Sequence, residues 1–177
     1  MVDALPEHTA DESLQVQRSR WARWAWVPAL AVLAGIGIWY AVSPAPLPSA
    51  GGTVTATTPA GTPVYIGVLA RAAGENRSIR VRDVTVVTEG GDADVTALIC
   101  RGSTFAVTAA PEAFCTDLSE AVGDTLHLGA ADSLILSVQA DEPATLIIEA
   151  VELSYRHGLQ WDTQRVGPTI EVSVLER

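Results

Sequence analysis

The chain has 177 residues and a formal net charge of −10, from 21 acidic and 11 basic side chains. This length suits one ordinary domain with short flanking segments. The acidic balance argues against nucleic acids and anionic lipid headgroups as partners, because their phosphates carry the same sign of charge as the protein. We therefore expect no nucleic acid partner.

The N-terminal part combines a short tail with an apolar run. Residues 1–20 are polar and acidic, which predicts a disordered tail on the cytoplasmic side. From Trp24 to Val42 follow 19 residues without a charge. At a rise of about 1.5 Å per residue, a helix of this length spans about 28 Å, close to the hydrocarbon thickness of a bilayer. The sequence predicts one transmembrane helix over residues 21–42, which contacts the lipid bilayer through residues 24–42.

The flanks of the apolar run predict its orientation. Arg18, Arg20 and Arg23 precede the run, whereas the next basic residue after it is Arg71. The positive-inside rule therefore predicts a single-pass plasma membrane protein with a cytoplasmic N-terminus and an extracytoplasmic C-terminal domain. Amphipathic aromatic rings are typical of both membrane interfaces, and five residues are candidates for this role: Trp21, Trp24, Trp26, Trp39 and Tyr40.

Two other interpretations of the run stay open, namely a buried helix of a soluble protein and a cleaved signal peptide. A signal peptide would have a shorter apolar core and a small-x-small cleavage site. The nearest such site, Ala41-Val42-Ser43, is followed by Pro44, which disfavours cleavage. The sequence therefore favours an uncleaved signal anchor.

After the run, proline and glycine dominate residues 43–52, which predicts a short extended linker between membrane and domain. Residues 53–177 then show apolar side chains at alternate positions, with turn signals such as Glu89-Gly90-Gly91-Asp92 between the alternating segments. The pattern predicts an all-β fold, an antiparallel β-sandwich of about seven to nine strands, with one helical turn at residues 111–122. The predicted strands are 53–58, 63–70, 78–87, 94–100, 104–108, 124–129, 132–140, 144–155 and 168–175.

The two cysteines, Cys100 and Cys115, both follow the predicted span. On the outer side of a membrane an even pair of cysteines favours a disulfide. Two free thiols or half of a metal site are the alternatives. No Cys-x-x-Cys motif or Cys/His cluster occurs, so we expect no zinc site.

The most unusual segment, residues 154–168, gathers aromatic, amide and charged side chains before the last predicted strand. Loops at the end of a sandwich often bind partners, and tryptophan and arginine contribute strongly to binding. One hypothesis is therefore a binding loop. The alternative is a long hairpin in which Leu159 and Trp161 cap the core, while Gly158 and Gly167 adopt positive φ. The candidate binding residues are Tyr155, Arg156, His157, Gln160, Trp161, Asp162 and Arg165.

Motifs for catalysis are weak. His157 and Asp162 could pair, but no serine occupies a Gly-x-Ser-x-Gly elbow, and a chain without lysine has no Ser-x-x-Lys motif. We therefore expect no enzymatic activity, no catalytic residue and no cofactor. Three carboxylates at residues 89–94 leave a calcium site open as an alternative, although the twelve-residue EF-hand spacing is absent and we assign no metal ligand.

The order of these features resembles that of uncharacterised actinobacterial single-pass membrane proteins with a compact extracytoplasmic β-domain. The resemblance depends on the arginine-flanked tail, the single anchor and the proline-rich linker, and on Tyr155-Arg156-His157-Gly158-Leu159 with Gln164 and Gly167 before the final strand. It implies the same architecture and lends no catalytic residue.

These features together predict a membrane-anchored extracytoplasmic β-sandwich that serves as a binding or accessory module for another envelope or membrane protein. A structural protein of the cell envelope is the alternative, and an enzyme without a recognisable motif is a third hypothesis.

Overall fold

A computed structural model describes residues 26–49, 51–70 and 75–177 of the chain. The predicted cytoplasmic tail and the predicted interface residues Trp21 and Trp24 lie outside the described residues. The chain divides into two units, and the division falls between Ile38 and Trp39.

Helix α1 occupies Trp26–Ala41. All 16 of its residues lie within the predicted transmembrane segment, residues 21–42. It has Pro28 in its first turn, where the missing N–H would have no helical acceptor. Every side chain from Trp26 to Tyr40 is exposed. Among the described residues, no helix reaches the length and hydropathy needed to cross a membrane.

The described residues of the second unit form eleven strands. Alternation of β-branched or other apolar residues with polar ones places one face of most strands in the interior. The strands are β1 (Thr53–Pro59), β2 (Val64–Leu69), β3 (Ser78–Gly90), β4 (Asp94–Arg101), β5 (Val107–Thr108), β6 (Asp117–Glu120), β7 (Thr125–His127), β8 (Asp132–Gln139), β9 (Ala144–His157), β10 (Gln160–Val166) and β11 (Thr169–Leu175).

The strands form two sheets. The first has the order β1-β11-β9-β3-β7, and β10 pairs with β9 beyond the end of β11. The second has the order β5-β2-β8-β4-β6. All pairings are antiparallel except that of β1 with β11, which is parallel. The predicted all-β sandwich is thereby confirmed, with eleven strands in place of the expected seven to nine.

One hydrophobic core lies between the two sheets. The first sheet contributes buried side chains of β9, among them Leu146, Ile148 and Leu153, and the second contributes Ile66 and Leu136, all 2% exposed or less. Burial of these large side chains stabilises the fold by about 1.5–3 kcal/mol for each of them.

A smaller apolar cluster lies on the other face of the second sheet. The predicted disulfide between Cys100 and Cys115 is present. Both cysteines pack with Ile135 of β8, and Phe105 covers this cluster from the segment between the two cysteines. The consecutive apolar residues of β8 follow from this arrangement, because a strand buried on both faces has no solvent side.

Two local predictions differ from the structure. The segment 111–122 has only a short 3₁₀ turn at Pro111–Ala113, and its residues Asp117–Glu120 form β6 along the edge of β4. Within the predicted strand 104–108, only Val107–Thr108 pairs with β2. In both places long-range pairing decides the local conformation, which propensity alone does not describe.

Part of the proline-rich linker packs against the sandwich. We call residues 44–48 the strap. Leu47 is only 6% exposed and belongs to the main core. Its N–H donates a hydrogen bond to Oε1 of Gln164 at 2.7 Å, and the guanidinium of Arg77 donates to the carbonyl oxygens of Ala45 (2.8 Å) and Pro46 (2.6 Å). The composition predicts a free extended linker, whereas these residues are held as part of the folded domain.

Candidate functional site

The segment 154–168 is a β-hairpin. His157 of β9 pairs with Gln160 of β10, so Gly158 and Leu159 form a two-residue loop. Gly158 has φ of +59°, whereas Leu159 has a negative φ. This combination fits a type II′ turn, in which glycine takes the first central position. The predicted hairpin and the predicted positive φ of Gly158 and Gly167 (+85°) are therefore confirmed.

The pairing register divides the candidate residues between two faces of the hairpin. Tyr155 lies opposite Asp162 on the inner face, and Trp161 lies opposite Arg156 on the outer face. Arg165 follows Trp161 by four positions and therefore shares its face. His157 and Gln160 close the turn. The structure thus brings Arg156, Trp161 and Arg165 together and places Tyr155 and Asp162 on the other side of the sheet.

Two further arginines extend the outer face. Arg80 of β3 pairs directly with Arg156, and Arg82 lies at a bulge two residues further along the same strand. All four arginines are exposed. We call this surface the basic face, defined by Arg80, Arg82, Arg156, Trp161 and Arg165. The alternation of Arg80 and Arg82 in the sequence indicates a common solvent face, but the pairing of β3 with β9 cannot be inferred from that alternation.

Local contacts order the basic face. Nε of Arg165 lies 3.1 Å from Oε1 of Glu152, and the hydroxyls of Ser154 and Thr163 are hydrogen bonded at 2.7 Å. Beside Trp161 lies an open hollow of about 410 Å³. It is lined by seven residues of the chain: Val42, Arg82, Ser154, Tyr155, Trp161, Asp162 and Thr163. An indole, one arginine, two hydroxyl-bearing residues and one aspartate therefore border this shallow depression.

The inner face serves the interior of the domain. Tyr155 is 1% exposed, and among the described residues its hydroxyl has no hydrogen-bond partner. Burial and the nearby Asp162 raise the pKa of Tyr155, while Arg77 and Gln164 oppose the rise. Asp162 accepts hydrogen bonds from the Gln164 amide (2.7 Å) and from the N–H of Thr163 (2.8 Å). Tyr155, predicted as a binding residue, is thus inaccessible to a partner, and Asp162 bonds to β10 rather than to His157.

The core-capping alternative for this segment does not hold. Leu159 is 72% exposed and Trp161 is 59% exposed, so neither covers the interior. Leu47 of the strap joins the core beside Gln164 instead. Sequence reasoning missed this residue because the proline-rich composition around it is typical of a free linker.

We expect Trp161→Ala to change the free energy of unfolding by less than about 0.5 kcal/mol, because an exposed side chain loses little on truncation. Leu153→Ala, in the neighbouring strand but fully buried, should cost about 2–5 kcal/mol. Urea unfolding of the two variants measures the difference. A loss of several kcal/mol for Trp161→Ala would restore the core-capping interpretation.

A separate ionic cluster joins the edges of both sheets. Arg101 of β4 donates to Asp124 Oδ2 at 2.7 Å, and its guanidinium also lies within 4 Å of Asp117 and Asp132. Nδ1 of His127 is 2.9 Å from the Asp132 carboxylate. Each carboxylate in this cluster has a partner from a neighbouring strand. These ion pairs and hydrogen bonds therefore have a structural role, in which they hold neighbouring strands together.

Asp124 is the most strongly perturbed group of this cluster. Hydrogen bonds from the Ser119 hydroxyl (2.7 Å) and the Thr125 N–H (2.7 Å), together with Arg101, lower the pKa of Asp124 to about 2. Since the ordinary value is 3.8, the unfolded chain takes up the proton first as the pH falls. The stabilisation by the Asp124 carboxylate is therefore complete above pH 4–5 and is lost as the pH falls towards 2.

We accordingly expect Asp124→Asn to lower the melting temperature at pH 6, because the carboxylate loses its charge-assisted partners. The difference from the parent protein should shrink as the pH falls from about 4 to 2, where the parent loses the same interaction. Melting curves across this range, with Asp92→Asn as a control outside the cluster, provide the measurement. A constant difference at every pH would contradict the assignment.

The acidic turn at residues 89–94 borders an open cleft of about 790 Å³. Asp92 and Asp94 line it together with Asp141 and Glu142 of the facing loop. In the part of the chain that the structure describes, no three His, Cys, Asp or Glu side chains come together as a metal site would require. The calcium alternative therefore has no preformed ligand set in these residues.

No family model matches this chain, and no curated protein matches it.

Proposed function

We propose that the chain is a single-pass membrane protein of the plasma membrane whose extracytoplasmic β-sandwich is a binding or accessory module for another envelope or membrane protein. The basic face is the observation that carries this proposal. Its occupant would be an acidic surface or segment of the partner protein, because four arginines lie together there on a protein whose net charge is −10.

The composition of the basic face favours protein recognition over a solvated surface. Arginine and tryptophan are enriched among the residues that dominate binding energy, and Trp161 offers a large apolar area beside guanidinium groups. A side chain of the partner that enters the hollow beside Trp161 and Arg82 would be shielded from water. Glu152 pairs with Arg165, and Asp83 lies opposite Ser154 on the same face, so the four arginines face two carboxylates and positive charge stays in excess.

The membrane anchor is supported by the sequence and by the character of α1. Arginines precede the apolar run and aromatic residues flank it. The side chains of α1 are apolar and exposed all round, including Leu30, Leu33 and Ile36, which is unfavourable in water and suits a lipid environment. The disulfide of the β-domain suits an oxidising extracytoplasmic compartment.

The proposal is tested by a photo-crosslinking amino acid at Thr163, an exposed residue between Trp161 and Arg165 on the basic face. In intact cells we expect one adduct of defined mass. The control position is Glu149, which is exposed nearer the other end of β9. Adducts at both positions without a defined mass would favour the structural envelope protein and contradict the binding module.

A charge reversal sharpens this test. Arg80→Glu replaces a positive charge of the basic face with a negative one without touching the crosslinker, and it should abolish most of the adduct. Arg177→Glu makes the same charge change at an exposed site outside the face and should leave the adduct intact. Equal effects of the two variants would show that net charge, rather than the basic face, controls the association.

A further inference from the structure

We infer that the apex of the β9–β10 hairpin is a second lipid contact, in which Leu159 enters the interfacial layer of the bilayer. This inference rests on the proposed membrane anchor. The contact adjoins the basic face and shares Arg156 with it, but its centre, Leu159, occupies the turn at the end of the strands, whereas the basic face lies on their outer side.

The residue at the apex is unusual for a tight turn. Two-residue hairpin loops favour glycine, asparagine and aspartate, which suit the turn geometry and are compatible with water. Here Gly158 meets the conformational requirement and a leucine follows it, 72% exposed. A single exposed leucine needs no explanation by itself. This one, however, adjoins Gln160, which bonds to a part of the chain with further exposed apolar residues.

These further apolar residues lie at the end of the predicted span. The side-chain amide of Gln160 donates a hydrogen bond to the carbonyl oxygen of Tyr40 at 2.9 Å, and Gln160 directly follows Leu159. Trp39, Tyr40 and Val42 are exposed as well. All of these residues belong to the Trp39–Arg177 unit. The hairpin apex is therefore tied to the point at which the chain would leave the membrane.

The hydrogen bond between Gln160 and Tyr40 places the hairpin apex at the depth of the membrane–water interface. Trp39 and Tyr40 are the residues that the sequence assigns to the outer membrane interface, where amphipathic rings lie at the level of the lipid headgroups. Leu159 directly precedes Gln160, whose amide bonds to Tyr40, and we place it in the same interfacial layer. Its burial at the boundary between headgroups and acyl chains would recover the apolar free energy that exposure to water forfeits.

Charge at the apex also suits anionic lipid. Nε of Arg156 donates a hydrogen bond to the Gly158 carbonyl oxygen at 2.6 Å, which holds the guanidinium beside the turn. A guanidinium has five N–H donors, so others remain for a lipid phosphate. The overall charge of −10 disfavours anionic headgroups, but Arg156 places a positive charge beside the turn itself. Long arginine side chains can reach the headgroups while the turn lies deeper.

The experiment uses the full chain, whose two cysteines are bonded to each other. Single cysteines are introduced as Leu159→Cys, Leu33→Cys in α1 and Glu142→Cys, and each is labelled with an environment-sensitive fluorophore. Glu142 precedes β9, and the 14 residues of that strand separate it from the apex by about 45 Å. The labelled proteins are reconstituted in vesicles of phosphatidylcholine and phosphatidylglycerol that contain spin-labelled lipids as quenchers.

We expect the fluorescence of the label at position 159 to be quenched at least about threefold more strongly than that of the label at position 142, because quenching requires contact with the lipid layer. Quenching at position 33 but not at 159 would overturn the hairpin contact and leave the anchor intact. Absence of quenching at position 33 would overturn the anchor, whatever position 159 shows. A label at 159 that is shielded from water but not quenched would indicate contact with a second copy of the chain and would contradict the lipid contact.

Discussion

Replacement of Leu47 by alanine is expected to lower the free energy of unfolding of the β-domain by about 2–4 kcal/mol, because a buried leucine loses its transfer free energy and leaves a cavity. Leu47 is 6% exposed and lies in the main core although it precedes the first strand. Its N–H bond to Gln164 holds the strap against β10. Urea unfolding, followed by circular dichroism in detergent, measures the loss.

The matched control for this variant is Leu175→Ala. Leu175 lies in β11 but is largely exposed, so the same truncation should cost less than about 0.5 kcal/mol. Equal losses in the two variants would show that the strap does not belong to the cooperative folding unit. The expected difference would instead place the start of that unit before residue 47, within the segment whose composition predicts a free linker.

Removal of the disulfide by the double substitution Cys100→Ala and Cys115→Ala should cost about 3 kcal/mol, on the chain-entropy model for a loop of this size. The bond joins positions 15 residues apart. It also keeps Phe105 over Ile135, so its loss exposes the smaller apolar cluster. Thermal unfolding of the parent and the double variant gives the difference.

A reductant separates the covalent contribution from the packing contribution of this pair. It should lower the melting temperature of the parent protein and leave that of the double variant unchanged, because the variant has no bond to break. A parent protein whose stability does not change on complete reduction would contradict the expected contribution. The alanines keep the site apolar, so the comparison does not introduce a buried polar group.

The sequence predicts those features of the fold that depend on local pattern. The alternation in Val64, Ile66 and Val68 predicts β2, since a strand with one buried face needs that period. The cysteine pair and the turn glycines Gly158 and Gly167 are likewise predictable, because disulfides and positive φ have specific residue requirements. For the same reason the sandwich class can be predicted without any knowledge of the strand order.

Features that depend on distant pairing could not be predicted. The segment Asp117–Glu120 has the composition of a polar turn and becomes a strand only because β4 offers it an edge. Residues Gln160–Val166 form β10, which the sequence does not predict. The inner side of this strand has charged or amide residues at three alternate positions, because it meets the strap rather than the second sheet. In both cases the stabilising partner lies far away in the sequence.

The candidate site was predictable in composition and not in geometry. The sequence identifies the segment that holds Trp161 and Arg165, because this mixture of side chains is rare elsewhere in the chain. It does not show that Tyr155 faces inward or that Arg80 comes to lie opposite Arg156. Both depend on the register between β3, β9 and β10, and a shift by one residue would exchange the two faces.

The parallel pairing of β1 with β11 has a consequence for the time at which the domain can fold. β11 lies between β1 and β9, and the strap contact of Leu47 is made with a residue 117 positions later. The first strand of the sandwich therefore has no partner of its own in its sheet until the final strand is present. Its pairing is therefore a long-range contact of the kind that forms slowly, and β1 stays an unpaired edge of the chain until that contact has formed.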